Sequence, residues 1–343
     1  MTSLTRRLVP CLLIAVALGL AACGDDDEQG GGAAAQPLTD VRYATSFGLF
    51  GRDAYAFVAK DKGFFEEAGF EVEIVPGQGS ADVAKLIGAG RLDYGPLDFN
   101  ALVVARAREG VPVKLVSFVH QNALNAIIAH GDSGISTPQS LEGRTVADSP
   151  GSTVRIMFPL YAERAGIDAD SVKFRPADPS SLPSLLAAKQ VDAVGQFVVG
   201  TPLFEKVTGG EVATVPFSEY LPDLPGLGIG VNDDKLRSDP DEVRRFVGAL
   251  NKGLQYALDN PAEAAQILKD NAPETDVAIA EQELVVMRDY VLTEYTAEHG
   301  IGTIEESRLA GAIDDVAATF DVNDPPAVDD VYVSGFAGSA GER

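Results

Sequence analysis

From residue 38 onward the hydrophobic positions of this chain switch repeatedly between a two-residue and a three-to-four-residue spacing. Val41-Arg42-Tyr43-Ala44 reads as a first strand, followed by a loop over 45–52 and a helix over 53–67, whose packing residues are Ala54, Phe57, Val58, Phe64 and Phe65. Alternation around Val72 and Ile74 predicts a strand, and a helix over 81–89 stops at Gly90. A short strand at 92–95, a helix over 99–108 and a strand over 113–119 complete a first α/β region. A second runs from about 132 to 220, with strands at 145–148, 172–174 and 191–197 and helices at 153–165 and 181–189. Thr201-Pro202 opens a further helix, and Pro216, Pro222 and Pro225 punctuate a longer connection. Beyond 239 the pattern is helical: helices open at Asp239-Pro240 and Asn260-Pro261 and cover 275–295 and 304–320. The Asp-, Gly- and Ser-rich segment 321–343 is expected to be only partly ordered, and no strong internal repeat stands out.

The first 23 residues follow a different rule. Arg6 and Arg7 precede an apolar run over 8–22 that ends in Leu20-Ala21-Ala22-Cys23. The run is shorter than the roughly 20 residues of a membrane span. It resembles a bacterial lipoprotein signal peptide (1–22), cut before a lipid-bearing Cys23, with an ordinary secretory leader as the alternative. The Gly- and Asp-rich stretch after Cys23 holds nothing that nucleates a core, so 23–37 is read as a flexible tether.

Composition narrows the function. The chain has 343 residues, 45% of them hydrophobic, and 51 acidic against 27 basic residues, a formal net charge of −24. Loss of the leader removes two arginines and no acid, taking the balance to −26. Such a surface does not suit a nucleic-acid backbone. The only cysteines are Cys11 and Cys23, so the body of the chain offers neither a disulfide framework nor a cysteine metal site. His120, His130 and His299 lack metal-ligand spacing, and no serine–histidine–acid motif, dinucleotide fingerprint or P-loop is present.

Several blocks then carry a resemblance in their order. They are Ala56–Phe65, Gly69–Glu73, Val83–Gly95, Ala105–Val113, Ile135–Val146 with Leu141-Glu142-Gly143-Arg144-Thr145-Val146 at its centre, and Leu185–Ala193. Together they resemble the NMT1/THI5-like family, which contains thiamine-pyrimidine synthesis and transport proteins and the nitrate-, taurine- and alkanesulfonate-binding lipoproteins of ABC transporters. The resemblance implies an α/β fold of the type II periplasmic-binding-protein kind, two α/β lobes with a ligand cleft between them. Lobe one would comprise 38–128 and the returning part 225–320, lobe two 129–224, with 321–343 a flexible tail. The cysteine-rich motif of the pyrimidine-synthesising members is missing, which argues for binding rather than catalysis.

The family's cleft loops map onto several candidates, each with a structural alternative. Phe47 and Phe50 would stack on a planar heterocycle or cap the core; Arg52 and Asp53 would orient polar groups or pair with each other. Gln78 and Ser80 flank a helix start, where Ser80 is a cap or a ligand contact. Asp98, beside Phe99, would receive an amine or cap its helix. His120 and Asn122 follow an apolar strand, with Gln121 and Asn125 nearby. Ser149, Gly151, Ser152 and Thr153 form a helix-opening turn able to receive a polar group on backbone N–H groups, with Arg155 beside it. Gln196 and Phe197 close a later strand.

The function implied is capture of a small solute outside the membrane for an ABC permease, with the cytoplasmic ATPase contacted only indirectly. The protein would be a monomer, held to the outer face of the cytoplasmic membrane through Cys23, with no cofactor, metal or nucleic-acid partner. The expected solute is a pyrimidine or thiamine precursor; taurine, another alkanesulfonate, nitrate or a different small anion is the alternative. A sensory or interaction protein that kept the binding fold is the reading from another class.

Overall fold

The computed structural model describes residues 37–338. The leader, Cys23 and the tether before 37 lie outside the described residues. The chain lays down β1 (Thr39–Ala44), β2 (Phe47–Gly48), β3 (Phe70–Val75), β4 (Gly77–Gln78), β5 (Tyr94–Asp98) and β6 (Val113–Phe118), then β7 (Asn125–His130), β8 (Thr145–Asp148), β9 (Lys173–Pro176), β10 (Ala193–Phe197), β11 (Val212–Pro216) and finally β12 (Leu227–Asn232). Two five-stranded sheets result, ordered β3-β1-β5-β12-β6 and β11-β7-β10-β8-β9. Each has three parallel strands (β3, β1, β5; β9, β8, β10) followed by one antiparallel strand, β12 or β7. The two sheets therefore share one topology, although the sequence shows no repeat.

Helices cover the faces, so the central strands β5 and β10 are buried at every position, their polar residues Asp98 and Gln196 falling at the carboxyl ends. The C-terminal helices return to the first sheet. Phe246, on the helix Pro240–Asp259, stacks on Tyr94 at 3.9 Å and on Phe65 at 5.1 Å between ring centroids.

The fold departs from the sequence reading in several places. The helix expected over 53–67 is two helices, Ala54–Asp61 and Phe64–Glu67, because Gly63 takes a left-handed φ of 75° between them. β12 falls in what reads as a connection. Its glycines are demanded by packing: a Cβ on Gly230 would collide with the Leu97 side chain. β7 starts at Asn125 and belongs wholly to the second sheet, so the change of sheet falls before 125 and not at 129. As far as residue 338 the segment after 321 packs rather than trails: Tyr332 makes a bridge to Leu115, Val333 N–H donates to the Leu115 carbonyl, and Val331 and Phe336 are buried.

Candidate functional site

The carboxyl ends of β5, β8 and β10 and the loop after β1 face one region, the place where open α/β sheets put their ligands. Two loops close on each other there. Ala81 N–H donates to the Gly151 carbonyl at 3.2 Å, and the Ser149 hydroxyl donates to the Gln78 carbonyl. Gly79, at φ 125°, makes this approach possible, since a Cβ on it would collide with the Gly151 carbonyl group. Gly79→Ala should hold the loops apart and weaken any ligand bound in this region at least about tenfold, roughly 1.4 kcal/mol. Calorimetry and small-angle scattering of the same sample would read this, and an unchanged affinity would refute it.

Arg52 is the centre of the cluster. It is 2% exposed, and its guanidinium carbon sits 4.5 Å from the Phe50 ring centroid and 4.9 Å from that of Phe197. One ring comes from each side of the cleft, a cation–π arrangement in a dry setting. Nη2 donates to the Phe47 carbonyl at 2.9 Å; Nε and Nη1 have no partner among the described residues. Phe47 adds a third ring, 6.4 Å from Phe197. The direct Arg52–Asp53 pair is absent among the described residues: the Asp53 carboxylate accepts from Phe50 N–H instead.

More buried polar atoms without partners among the described residues lie after β6, at the ends of β7, β8 and β10, and on the helix Val277–Val291. They are both ring nitrogens of His120, Asn125 Nδ2, Asp148 Oδ2, Gln196 Nε2 and Glu283 Oε1. Strand pairing sets Asn125 directly beside Phe197, and Thr153 Oγ1 donates to Asn125 Oδ1 at 3.3 Å. Buried polar atoms are nearly always satisfied in folded proteins, so such a concentration marks a place built for an absent polar partner. Burial pushes the carboxyls of Asp98, Asp148 and Glu283 up to about 7, and Asp53 up to about 6. The same burial, with the Arg52 charge second, holds the His120 imidazole neutral by lowering it to about 3.

The remaining sequence candidates separate by environment. Asp98 caps the helix Phe99–Glu109 by accepting from Asn100 and Ala101 N–H. Ser80 does not cap; Gly79 holds that position, and Ser80 Oγ accepts from Asp98 N–H at 3.0 Å. Ser152 caps the helix Thr153–Ala165. Phe99 packs in the core against Phe118, and Asn122 accepts from the Arg308 guanidinium at 2.6 Å; neither joins the cluster. Arg155 Nη1 is buried and unpartnered among the described residues, with its guanidinium 5.7 Å from the Phe174 ring. The sequence reading passes over Asp148 and Glu283 as site residues. Glu283 does carry a readable signal: on the helix Val277–Val291 it shares the buried stripe with Ala280, Leu284, Met287 and Val291, where a carboxylate is out of place unless it has work.

The family profile described as NMT1/THI5-like matches residues 53–264. The chain belongs to the NMT1/THI5-like family. Among its relatives, this chain is 26% identical to the riboflavin-binding protein RibY of Chloroflexus aurantiacus over 78% of either chain. It is 23% identical to a formylaminopyrimidine-binding protein of Halalkalibacterium halodurans over 66% of this chain and 69% of that one. For some curated relatives the match spans only 65% of their length. Among solved structures, the alkanesulfonate-binding protein SsuA of Xanthomonas axonopodis pv. citri superposes with a TM-score of 0.68 at 16% identity, covering 88% of this chain and all of that one. The fold is therefore that of the periplasmic binding proteins, two α/β lobes flanking a cleft.

Proposed function

We propose that this protein is the extracytoplasmic solute-binding component of an ABC importer, and that its solute is a planar nitrogen heterocycle of the pyrimidine or thiamine-precursor kind. The observation that carries the reading is the buried set of unpartnered donors and acceptors near the rings of Phe47, Phe50 and Phe197, drawn from the loop after β1, from the second sheet and from the helix Val277–Val291. Arg52, Asn125 and Gln196 offer N–H groups, whereas Asp148 and Glu283 offer carboxylate oxygens. A sulfonate or nitrate, which only accepts hydrogen bonds, meets Asp148 and Glu283 only in their protonated forms and adds negative charge that opposes their ionisation. A pyrimidine with a ring nitrogen and an amine or ring N–H satisfies both kinds, and its flat face suits the aromatic rings. The related binding proteins for riboflavin and formylaminopyrimidine take flat heterocycles, which agrees with this choice.

Binding without turnover fits His120, whose ring meets no acid or hydroxyl among the described residues that would orient it as a base. We assign lobe one to the segments around β1–β6 and from β12 to the C-terminal helices, and lobe two to β7–β11. Closure of the lobes over the solute would create the surface a permease reads, with Cys23 as the membrane tether. Parallel calorimetric titrations with 4-amino-5-hydroxymethyl-2-methylpyrimidine and taurine test the solute class. Saturable binding of the pyrimidine and none of taurine is expected; the reverse result overturns the reading in favour of a sulfonate.

A further inference from the structure

We infer that Glu283 is a specificity-determining residue that accepts a hydrogen bond from an N–H of the solute, on the same edge whose lone pair Arg52 receives. The inference rests on the heterocycle reading above. Glu283 is 1% exposed, and its two oxygens have different fates. Oε2 accepts from the backbone N–H of Arg52 at 3.3 Å, while Oε1 is buried with no partner among the described residues. A carboxylate serving only to brace the Arg52 loop would spend both oxygens on it, because one left unmet in a dry site is costly.

The loop and the helix that carry these two residues form one unit. Gly51 seats the loop directly on the helix Val277–Val291: a Cβ there would lie 2.5 Å from Ala280 Cα and 2.8 Å from Glu283 Oε2. The same helix also packs against the turn Val198–Gly200 that follows Phe197. Glu283 therefore stands near the Arg52 loop and the turn that follows Phe197. Arg52 supplies donors and Glu283 an acceptor, a pair complementary to an edge with a lone pair beside an N–H. A ring amidine and a ring lactam both present that edge.

The test is a cycle between protein and solute. Wild type and Glu283→Gln are titrated calorimetrically with 4-amino-5-hydroxymethyl-2-methylpyrimidine, with the analogue carrying a methyl in place of the 4-amine, and with the 4-oxo analogue. Wild type should prefer an N–H-bearing probe to the methyl analogue by about ten- to a hundredfold. Glu283→Gln should narrow the gap to about threefold or less, since its amide oxygen is an uncharged and weaker acceptor and its NH2 competes for the same edge. Preference for the amine or for the 4-oxo probe identifies amidine or lactam as the source of the N–H. If Glu283→Gln weakens all probes by one common factor, Glu283 only braces the loop and the inference falls while the pyrimidine reading stands. If wild type binds none of the probes, the pyrimidine reading falls first. Should the glutamine variant fail to fold, Glu283→Asp keeps the charge but retracts it by one methylene, and undiminished discrimination there overturns the inference.

Discussion

Replacing Arg52 by alanine is expected to abolish solute binding and to cost the fold about 3 kcal/mol near neutral pH, the scale of breaking one partner out of a buried charge constellation. Two effects add. The guanidinium sits between the Phe50 and Phe197 rings, so its loss empties a contact that joins aromatic groups from both sides of the cleft. It also removes the positive charge that lowers the buried carboxyls of Asp53 and Glu283. Arg52→Lys is expected to recover part of the stability and little of the binding, because an ammonium keeps the charge but has neither the flat face nor the forked donors. Urea denaturation and calorimetry on the two variants separate these contributions. Because Asp53 and Glu283 take up protons as pH falls, the stability cost of Arg52→Ala should shrink between pH 8 and pH 5. A cost that stays constant with pH would show that lost packing, not uncompensated charge, is what the variant measures.

How much of this was legible beforehand depended on whether a feature was local. The helix Thr153–Ala165 is bounded in sequence by Ser152 and Gly166, a cap and a left-handed stop, and both act through adjacent atoms. The first-lobe loop is visible because Phe47, Phe50, Arg52 and Asp53 are close in sequence. β12 is hidden because Gly228 and Gly230 look like loop residues; they are small to make room for Leu115 and Leu97, which only the folded sheet brings near. Glu283 stays hidden for a related reason. It lies 231 residues from Arg52, and its carboxylate meets the loop only after the C-terminal helices return to the first sheet. Phe99 shows the converse error: adjacency to Asp98 suggests a cleft position, but the next residue on a helix points to a different face and enters the core.

Stability should be greatest in mild acid and fall as pH rises to 8. Asp98, Asp148 and Glu283 have folded values near 7 and Asp53 near 6, against 3.8 for a free aspartate and 4.5 for a free glutamate. Between those limits the folded chain holds protons that the unfolded chain has released, so unfolding becomes easier as pH rises through the window from about 4 to about 7. His120 acts in the opposite sense. Its folded value is near 3 against 6.5 free, so from pH 3 to 6.5 its contribution grows as pH rises. Four acids outweigh one imidazole, because every proton held in the folded chain alone changes stability by about 1.4 kcal/mol for each pH step of one. A fall of at least about 2 kcal/mol from pH 5 to pH 8 is expected in denaturant titrations. Asp148→Asn should be near neutral at pH 5 and stabilising at pH 8, since the amide replaces a carboxyl that Gly195 packs against and that cannot ionise there without cost. Stability that climbs steadily from pH 5 to 8 would sink the prediction. The bound solute supplies the sharper form of the test. An N–H delivered to a buried carboxylate favours its charged form, so saturation with an amine-bearing pyrimidine should release protons near pH 7 and flatten the stability profile. A sulfonate, having no N–H to give, should leave the slope in place.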